Sequence, residues 1–448
     1  MKQIRLTAFD MNCVGHIQQG LWRHPRDRST DYTDLAYWTG LARLLERGLF
    51  DGLFLADVLG VYDVHGGSPG PAIEYAVQIP VGDPLLLVPA MAAVTEHLGF
   101  GVTANLIYEP PFTFARRMST LDHLTRGRIG WNVVTGYLDS AARAMGLERQ
   151  VAHDDRYDVA DDYMRAVYAL WEGSWAEDAV LRDRETGRYA DPARVRSVRH
   201  DGPFHRMEAV HLCEPSPQRT PVLYQAGSSG RGRQFAGSHA ECVFLNGQGK
   251  PAVRGHVDAI RAAAQAAGRA PGDVLALVGA TVIVAETEAL ALAKLADYRR
   301  YASPEAALVH ASASMGIDLD RFGMDEPIGG ESNAITSNLQ AMTQQGMTKR
   351  KLLGRMGLGS RQPPIVGSAA QVADELAAWM SEADVDGFIL SRTVTPECFE
   401  DFIALVVPEL QRRGLYKESY AEGTLREKLF GAGRLLRAPH PAAALRQV

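Results

Sequence analysis

Residues 220–232 read TPVLYQAGSSGRG, an apolar run followed at once by a turn of small residues and a helical stretch. The apolar run predicts a strand buried on both faces, as in a parallel sheet. Small residues let backbone N–H groups approach a phosphate at the N-terminus of the following helix. Ser228 and Ser229 add hydroxyl donors, and Arg231 and Arg233 are candidate positive charges. For these residues alone, a turn that merely requires glycine is an equally good interpretation.

Seven further apolar runs alternate with helical patterns along the chain. Eight strands that alternate with helices predict a closed parallel (β/α)8 barrel of the TIM type. The alternative is a doubly wound open sheet, which a glycine-rich dinucleotide-binding turn after the first strand would favour. The sequence at that place, AFDMNCVG (8–15), is not such a turn. The seven runs are RLTAFDM (5–11), GLFLADV (52–58), FGVTANLI (100–107), RIGWNVVTG (128–136), ECVFLNG (241–247), LALVGATVIVAE (275–286) and DGFILSRT (386–393).

Two segments interrupt this alternation, at about residues 175–219 and 304–364. Long irregular segments inside a compact domain are usually functional loops, and on the C-terminal face of a barrel they would wall the active site. We therefore expect one barrel domain over residues 1–431 with these two insertions. Residues 432–448, rich in Arg, Ala and Pro, are expected to form a loosely held C-terminal tail.

Composition limits the classes of function. The 448 residues carry a net charge of −6, whereas a nucleic-acid-binding surface would be basic. The four cysteines are scattered without zinc spacing, so neither a disulfide framework nor a metal site is expected. The start, MKQIRLTAFD, lacks the apolar core of a signal peptide, and the longest apolar stretch, 84–94, is too short to span a bilayer. We expect a cytoplasmic protein that contacts neither membrane nor nucleic acid.

Polar side chains at the ends of apolar strands are the first candidates for chemistry. Asp57 follows the second strand, and Thr103 and Asn132 lie in the third and fourth. In a barrel the strand ends form the catalytic face, and buried polar groups need partners. A ring of such donors and acceptors would suit a flat heteroaromatic cofactor, although a loop hydrogen bond explains each residue equally well.

A second set of candidates lies in the connecting segments. Cys13 and His16 follow the first strand, and a Cys–His pair is the arrangement of a nucleophile and its base, with a buried thiol and a hydrogen-bonded histidine as the alternative. His153 and Tyr157 begin the fourth helix, where a solvated histidine is the simpler interpretation. His310 lies in the second insertion and reaches the site only if that segment folds over it.

These motifs together resemble the bacterial-luciferase-like, FMN-dependent monooxygenases of the nitrilotriacetate and dimethyl-sulfide type. The resemblance extends from the N-terminus to about Gly431, and its most similar branch oxidises long-chain alkanes. Long motifs in matching order are far more specific than a single glycine pattern. They include AFDMNCVGH (8–16), GLWRHP (20–25), LFLADV (53–58), MSTLDHLTRGRIGWNVVT (118–135), HDDRYDVADDYM (153–164), LWEGSW (170–175), EPSPQRTPVLYQAGSSGRG (214–232) and VADEL (372–376).

The resemblance implies roles for individual residues. Departures from the alkane branch occur at Tyr137, where that branch has histidine, and over residues 329–345, both where substrate would be selected. Positions that match flavin contacts are Asp57, Thr103, Gly136, Tyr137, His153, Tyr157, Ala226, Gly227, Ser228 and Ser229. Positions that match the substrate pocket or catalytic groups are Cys13, His16, Tyr62, Gln78 and His310.

The resemblance also implies an activity. Reduced FMN, supplied by a separate NAD(P)H:FMN oxidoreductase, and O₂ would place one oxygen atom in a small apolar substrate, in a homodimer or homotetramer. Terminal hydroxylation of long-chain alkanes is the first expectation. Oxidation of an organosulfur or amine-type substrate is the second, because sulfur and nitrogen are oxidised more easily than an unactivated C–H bond. A non-catalytic flavin-binding barrel, a barrel that binds a deazaflavin, and a hydrolase based on Cys13 and His16 are the remaining alternatives.

Overall fold

The computed structural model describes residues 2–227, 229–247, 249–330, 332–335, 339, 342–343, 345–355, 358 and 362–447. Its centre is a closed barrel of eight parallel strands in the order β1-β14-β11-β10-β9-β4-β3-β2, which confirms the predicted fold and places each of the eight predicted strands. The strands are β1 Arg5–Met11, β2 Gly52–Ala56, β3 Gly99–Asn105, β4 Ile129–Val134, β5 Val180–Asp183, β6 Arg188–Ala190, β7 Val198–Asp201, β8 Arg206–Ala209, β9 Val222–Gln225, β10 Cys242–Leu245, β11 Leu275–Ala280, β12 Val282–Val284, β13 Ile365–Gly367 and β14 Gly387–Ser391.

Helices surround the barrel, and the main core lies between the two layers. The barrel strands are buried on both faces, which explains why they read as continuous apolar runs. The α-helices are Leu35–Arg47, Gly70–Glu74, Val88–Ala92, Pro111–Leu124, Asp139–Ala144, His153–Gly173, Gly230–His239, Lys250–Ala266, Glu288–Arg299, Pro304–Met315, Lys349–Arg355, Ala369–Glu382, Glu397–Asp401, Val407–Arg412 and Leu425–Phe430, with a π-helical turn at Phe402–Val406.

The inside of the barrel is filled by side chains rather than left open. Phe9, Phe54 and Tyr224 pack edge-to-face, with ring centroids 5.5 Å apart in each neighbouring pair. Leu425 and Leu429, from the helix Leu425–Phe430, complete this inner cluster from the N-terminal end of the strands. The packed interior leaves the C-terminal end of the strands, here called the mouth, as the place for a ligand. The opposite end is called the floor.

The first insertion leaves the barrel on the floor side, because it connects the helix His153–Gly173 to β9. It forms two antiparallel hairpins, β5–β6 and β7–β8. Buried Asp162 holds the second hairpin by accepting hydrogen bonds from the backbone N–H groups of Phe204 (3.1 Å) and His205 (2.8 Å). The insertion therefore does not wall the mouth, and its charged sequence reflects an exposed hairpin surface.

The second insertion lies on the mouth side, between β12 and β13. It begins with the helix Pro304–Met315, whose N-cap Ser303 accepts a hydrogen bond from the N–H of Ala306. Ala306, Val309 and Ala313 of this helix pack on Tyr62 and Leu138 from the loops after β2 and β4. Of the two insertions, this segment is thus the one that lies over the mouth.

The segment after Gly431 is held firmly rather than loosely. Arg446 Nε donates to Glu172 Oε2 at 2.7 Å, and His440 Nε2 lies 2.9 Å from the carbonyl oxygen of His239. Leu436 and Ala442 are buried. Arginine and proline composition suggested a tail, but buried carboxylate and carbonyl partners fix the segment to the outer helices.

Among the described residues, no helix has the length and apolarity needed to cross a bilayer.

Candidate active site

The turn after β9 forms one wall of the mouth. Ser229 caps the helix Gly230–His239, its Oγ accepting a hydrogen bond from the N–H of Gly232 at 3.0 Å. A Cβ atom on Gly227 would lie 2.2 Å from Gln225 Nε2 and 2.8 Å from the Tyr157 hydroxyl, so a larger residue would force these side chains to move. The preceding Ala226 is exposed, as a group at the entrance would be. Ser228, which the sequence also places here, lies outside the described residues.

The positive charge expected beside this turn is already neutralised. Arg231 Nη2 donates to Asp158 at 2.9 Å and also pairs with Asp161, and its guanidinium lies over the ring of Tyr157, 5.7 Å from the centroid. The expectation that Arg231 supplies a free charge is therefore wrong. Attraction for an anion at this turn comes from the N–H groups and positive dipole end of the helix.

Tyr157 and His153 stand opposite the turn on the helix His153–Gly173. Burial raises the pKa of Tyr157, while hydrogen bonds to Ser229 and Gln225 act in the other direction, so the neutral hydroxyl faces the turn. His153 lies at the helix start, 5.5 Å from the ring of Tyr157, and its Nδ1 is 2.7 Å from Asp154. Both predicted residues therefore lie beside the glycine turn.

Buried acceptors without partners line the mouth beneath this wall. Asn132 donates through Nδ2 to Thr103 Oγ1 at 2.9 Å, which places both predicted strand-end residues together. Its Oδ1 and the Oε1 of Gln225 are buried and have no hydrogen-bond partner among the described residues. Unpaired buried acceptors are costly, so these atoms await a donor. A flat heterocycle with N–H groups and a phosphate at the glycine turn fits this arrangement, as FMN would.

Asp57 lies at the mouth directly after β2. Burial, and secondarily the charge of Asp83, raises the pKa of Asp57 to about 7. This carboxyl group is therefore partly protonated near neutral pH and offers a hydrogen-bond donor as well as an acceptor. A shift of this size is typical of functional sites in a cleft.

The segment after β1 carries Cys13 and His16 into the mouth, but not as a nucleophile and its base. The Cys13 thiol donates to the carbonyl oxygen of Gly15 at 3.3 Å, and burial raises its pKa to about 12. Burial, with the charges of Arg392 and His310, keeps the pKa of His16 well below its usual value. A thiol of this kind is a poor nucleophile, so the geometry does not favour the hydrolase alternative.

Tyr62, Gln78 and Tyr137 form a hydrogen-bonded chain in the segments that follow β2 and β4. The Tyr62 hydroxyl donates to Gln78 Oε1, and the hydroxyls of Tyr62 and Tyr137 are 2.7 Å apart. Burial raises the pKa of Tyr62 well above its usual value, which keeps it protonated. The ring of His310 packs edge-on against Tyr62 at 5.7 Å, and its Nδ1 lies 3.1 Å from Gln19 Nε2. The structure thus brings His310 to the site through the second insertion.

Gly136 and its neighbours connect this wall to the second insertion. Gly136 has φ +70°, and a Cβ atom there would lie 2.5 Å from Asn105 Nδ2. Buried Arg156 donates to the carbonyl oxygen of Gly136 and, at 2.8 Å, to that of Asn333 in the insertion. Asn333 Nδ2 in turn donates to the carbonyl oxygens of residues 150 and 151. The insertion is therefore fastened directly over the mouth.

A second contact joins the insertion to the loop after β2. His65 Nε2 lies 3.4 Å from Asp320, and Asp318 accepts a hydrogen bond from the N–H of Gly66 at 3.2 Å. Lys349 pairs with Asp320 at 3.3 Å. These groups are satisfied by one another, and the contact explains how the loop and the insertion hold together.

Sequence reasoning missed three residues of the site. Gln225 and Arg392 each stand at the end of a barrel strand, the same signal that identified Asp57. The turn after Gln225 was selected without assigning the glutamine a role, and the run before Arg392 was interpreted only as a strand. Arg156 lies between the two selected residues His153 and Tyr157. Polar residues at the carboxyl ends of the other strands are candidate site residues by the same argument, because all such ends meet at the mouth.

Comparison with known proteins agrees with this geometry. The family model "Luciferase-like monooxygenase" matches residues 17–387. The chain is 50% identical to the long-chain alkane monooxygenase of Geobacillus thermodenitrificans over 100% of this chain and 99% of that protein. It is 46% identical to the dimethyl-sulfide monooxygenase of Hyphomicrobium sulfonivorans, over 99% and 94%. A crystal structure of a long-chain alkane monooxygenase superposes with a TM-score of 0.94 at 49% identity, covering 100% of both chains.

Proposed function

This chain belongs to the luciferase-like monooxygenase family and is a flavin-dependent monooxygenase. From that premise we propose that it uses reduced FMN and O₂ to oxygenate a small apolar substrate at the barrel mouth. The supporting observation is the pairing of a glycine turn at a helix N-terminus with unpaired buried acceptors, Asn132 Oδ1 and Gln225 Oε1, beneath it. An anionic tail and a flat head with N–H donors satisfy both parts at once.

The residues that would hold FMN divide by chemistry. Gly227, Ser229 and Tyr157 form the phosphate end, where backbone N–H groups and hydroxyls are available. Thr103, Asn132 and Asp57 stand at the strand ends, where they would meet the ring edge. Gly136 and Tyr137 would contact the cofactor from the loop after β4, as would His153 from the start of its helix and Ala226 from the turn. When bound, reduced FMN supplies the activation of O₂.

The chain's own contribution is to orient these groups, exclude water and place a proton. His16 is buried, its ring packs edge-on against Phe9 with the centroids 4.7 Å apart, and its Nδ1 has no hydrogen-bond partner among the described residues. His310 approaches from the cover side. We assign one of these two imidazoles to hold or donate the proton that the reaction consumes. The Cys13 thiol would pack beside the flavin ring. Dry surroundings matter because water at such a site diverts reduced flavin and O₂ to H₂O₂.

The substrate we place first is a long-chain alkane, hydroxylated at its end. The apolar cluster formed by the segments after β2 and β4 and by the second insertion includes Val58, Val61, Ile79 and Leu138. The polar exception is the Tyr137–Tyr62–Gln78 chain, which favours a second candidate, a dialkyl sulfide or a related organosulfur or amine compound with an acceptor atom. The 46% identity to the dimethyl-sulfide monooxygenase supports a sulfide as this second candidate.

Single-turnover oxidation tests the proposal. The protein is loaded with photoreduced FMN, mixed with oxygenated buffer, and supplied with hexadecane, with dibutyl sulfide or with neither. We expect an alcohol or a sulfoxide in nearly stoichiometric yield and little H₂O₂. Oxidation that gives only H₂O₂ with every substrate contradicts the monooxygenase proposal and favours a flavin-binding barrel. Failure to bind FMN, with binding of a deazaflavin instead, contradicts the cofactor assignment.

A coupled assay tests the remaining parts of the proposal. We propose a cytoplasmic homodimer or homotetramer that receives FMNH₂ from an NAD(P)H:FMN oxidoreductase. Steady turnover in a mixture with NADH, FMN and an unrelated flavin reductase is expected, because free FMNH₂ diffuses between two such proteins. Turnover with NADH in the absence of any reductase would show that the chain reduces flavin itself and would contradict the two-component assignment.

A further inference from the structure

Arg392 is a buried arginine at the end of β14 that reaches across to the segment after β1. Its Nε lies 2.8 Å from Asp10 Oδ1, in an ion pair of which both side chains are at most 4% exposed. Its Nη2 donates to the carbonyl oxygen of Cys13 at 3.0 Å and to that of Val14 at 2.8 Å. One guanidinium therefore joins the last barrel strand, the first barrel strand and the segment that carries Cys13 and His16.

That segment has little regular structure of its own to fix its shape. It is a succession of tight turns, in which the N–H of Cys13 bonds to Met11 and the N–H of Gln18 bonds to His16, each at 2.6 Å. Ile17 adopts φ +58°, a conformation unfavourable for a β-branched residue. A chain in this state stays in place only when its surroundings determine it. The Arg392 fork supplies two of the contacts that do so.

We infer that the Asp10–Arg392 pair is a positioning device for the proposed oxygenation, which holds the carbonyls of Cys13 and Val14 so that the thiol and the His16 ring face the cofactor. This inference rests on the proposed function. Arg392 touches neither substrate nor cofactor and acts through the segment. Asp10 orients the guanidinium, and Met11 N–H, at 2.7 Å from Asp10 Oδ1, orients the carboxylate. Lysine cannot replace Arg392, since an ammonium lacks the planar fork.

The test uses Arg392→Lys, with Arg128→Lys as the matched control. Arg128 is also buried and also donates to several carbonyl oxygens, those of Ala92, Thr95, Leu98 and Thr125, but at the floor. Both variants are made in a Cys213→Ser/Cys398→Ser background, and alkylation of Cys13 is followed in the flavin-free protein. The second readout is the fraction of FMNH₂ that yields H₂O₂ with substrate present.

We expect Arg392→Lys to speed Cys13 alkylation about tenfold or more, because two charge-assisted hydrogen bonds are lost and the segment opens locally. H₂O₂ yield should rise in the same variant. Arg128→Lys should change neither, although it lowers the melting temperature. Equal alkylation of Cys13 in Arg392→Lys and in the parent overturns the inference, as does an equal acceleration in both variants.

Two further arms keep the outcome decisive. If Arg392→Lys does not fold, Asp10→Asn/Arg392→Gln replaces it, because that variant leaves no unpaired buried charge. Its Cys13 must again be alkylated faster than in the parent, and an unchanged rate overturns the inference. The alkylation contrast needs no flavin, so it stands or falls separately from the monooxygenase assignment. If oxygenation is not observed with any substrate, only the proposed function fails.

Discussion

The mouth and the floor of the barrel are built from the same eight strands, but they differ in how the buried polar side chains beside the strand ends are paired. At the floor, buried Arg426 pairs with Glu241 through two contacts of 2.7 and 2.9 Å and donates to the carbonyl oxygens of residues 220 and 221. Lys417 pairs with Asp51 at 2.7 Å. At the mouth, Asn12, His16, Asn132 and Gln225 each hold a buried nitrogen or oxygen without a hydrogen-bond partner among the described residues.

This difference separates stability from function within one fold. A satisfied buried polar network stabilises a structure, whereas unpaired buried polar atoms destabilise it unless a ligand completes them. The floor therefore stabilises the barrel, and the mouth is arranged for a bound group. Substitutions at the floor should change unfolding without changing binding, whereas substitutions at the mouth should change binding.

The largest effect is expected at the floor. Arg426→Met leaves Glu241 as a buried, unpaired carboxylate, which should lower the free energy of unfolding by about 3–5 kcal/mol. Denaturant unfolding of the flavin-free protein measures this loss. Arg412→Met is the control, because Arg412 is 70% exposed in its pair with Glu409 and such pairs contribute about 0–1 kcal/mol. An altered FMN affinity in folded Arg426→Met would contradict the division between floor and mouth.

At the mouth, Gly227→Ala should weaken FMN binding about 10- to 100-fold, because the new methyl group forces a shift that costs about 1–3 kcal/mol. The Cβ atom would meet Gln225 Nε2 at 2.2 Å. Titration calorimetry with FMN under reducing conditions gives the affinity. Gly230→Ala is the matched control on the same turn, since a Cβ atom there meets nothing within 4 Å. Similar affinities for the two variants would show that the turn does not hold the phosphate.

The pH dependence of stability should reveal Asp57. Its pKa is about 7 in the folded protein, against an ordinary value of 3.8. The folded state therefore binds the proton more tightly, and this contribution is complete below about pH 4 and is lost as the pH rises to about 7. Unfolding of the parent and of Asp57→Asn is compared across that range.

The difference between the two free energies should fall steadily with rising pH and then become constant. A difference that does not change with pH would contradict the raised pKa. Asp83→Asn is the control. Removing this neighbouring charge should lower the folded-state pKa of Asp57, so the pH range over which the difference falls should end at a lower pH. Asparagine still caps the following turn, where Asp83 accepts a hydrogen bond from the N–H of Leu85.

The smallest effect is expected from Tyr137→Phe. Loss of one hydroxyl from the Tyr137–Tyr62–Gln78 chain should cost about 0.5–1.5 kcal/mol of stability. The more apolar wall should shift selectivity toward hexadecane over dibutyl sulfide by about two- to fivefold, within the range of one hydrogen bond. Competition between the two substrates in one reaction measures this ratio. A shift toward the sulfide would mean that the hydroxyl faces away from the substrate.

The barrel was largely predictable from sequence, because parallel strands buried on both faces read as continuous apolar runs. Strand ends could also be located, which is why the sequence predicts Asp57 and Thr103 near the carboxyl ends of β2 and β3, where the structure has them. The side on which an insertion emerges was not predictable without assigning each helix to its strand. For that reason the segment 175–219 was expected near the active site but lies at the floor.

Partners of arginine side chains were the least predictable part of the site. Arg231 looked like a phosphate ligand from its place beside a glycine turn, but Asp158 and Asp161, one helical turn apart on another helix, take its charge. Arg392 lies 379 positions from Cys13 in the chain. Contacts of this separation depend on barrel closure, which leaves no local pattern in the sequence.

Barrel closure by the last elements has a consequence for how the chain is made on the ribosome. β1 is the first strand to emerge, and its partner β14 ends at Ser391. Until then the nascent chain holds an open sheet, whose β1 edge offers unpaired backbone groups to other chains. The helix Leu425–Phe430, which carries Arg426, emerges later still. The roughly 380 codons between these two strands, about 20–80 seconds at ordinary elongation rates, are therefore the period in which this protein most needs a chaperone at its edge.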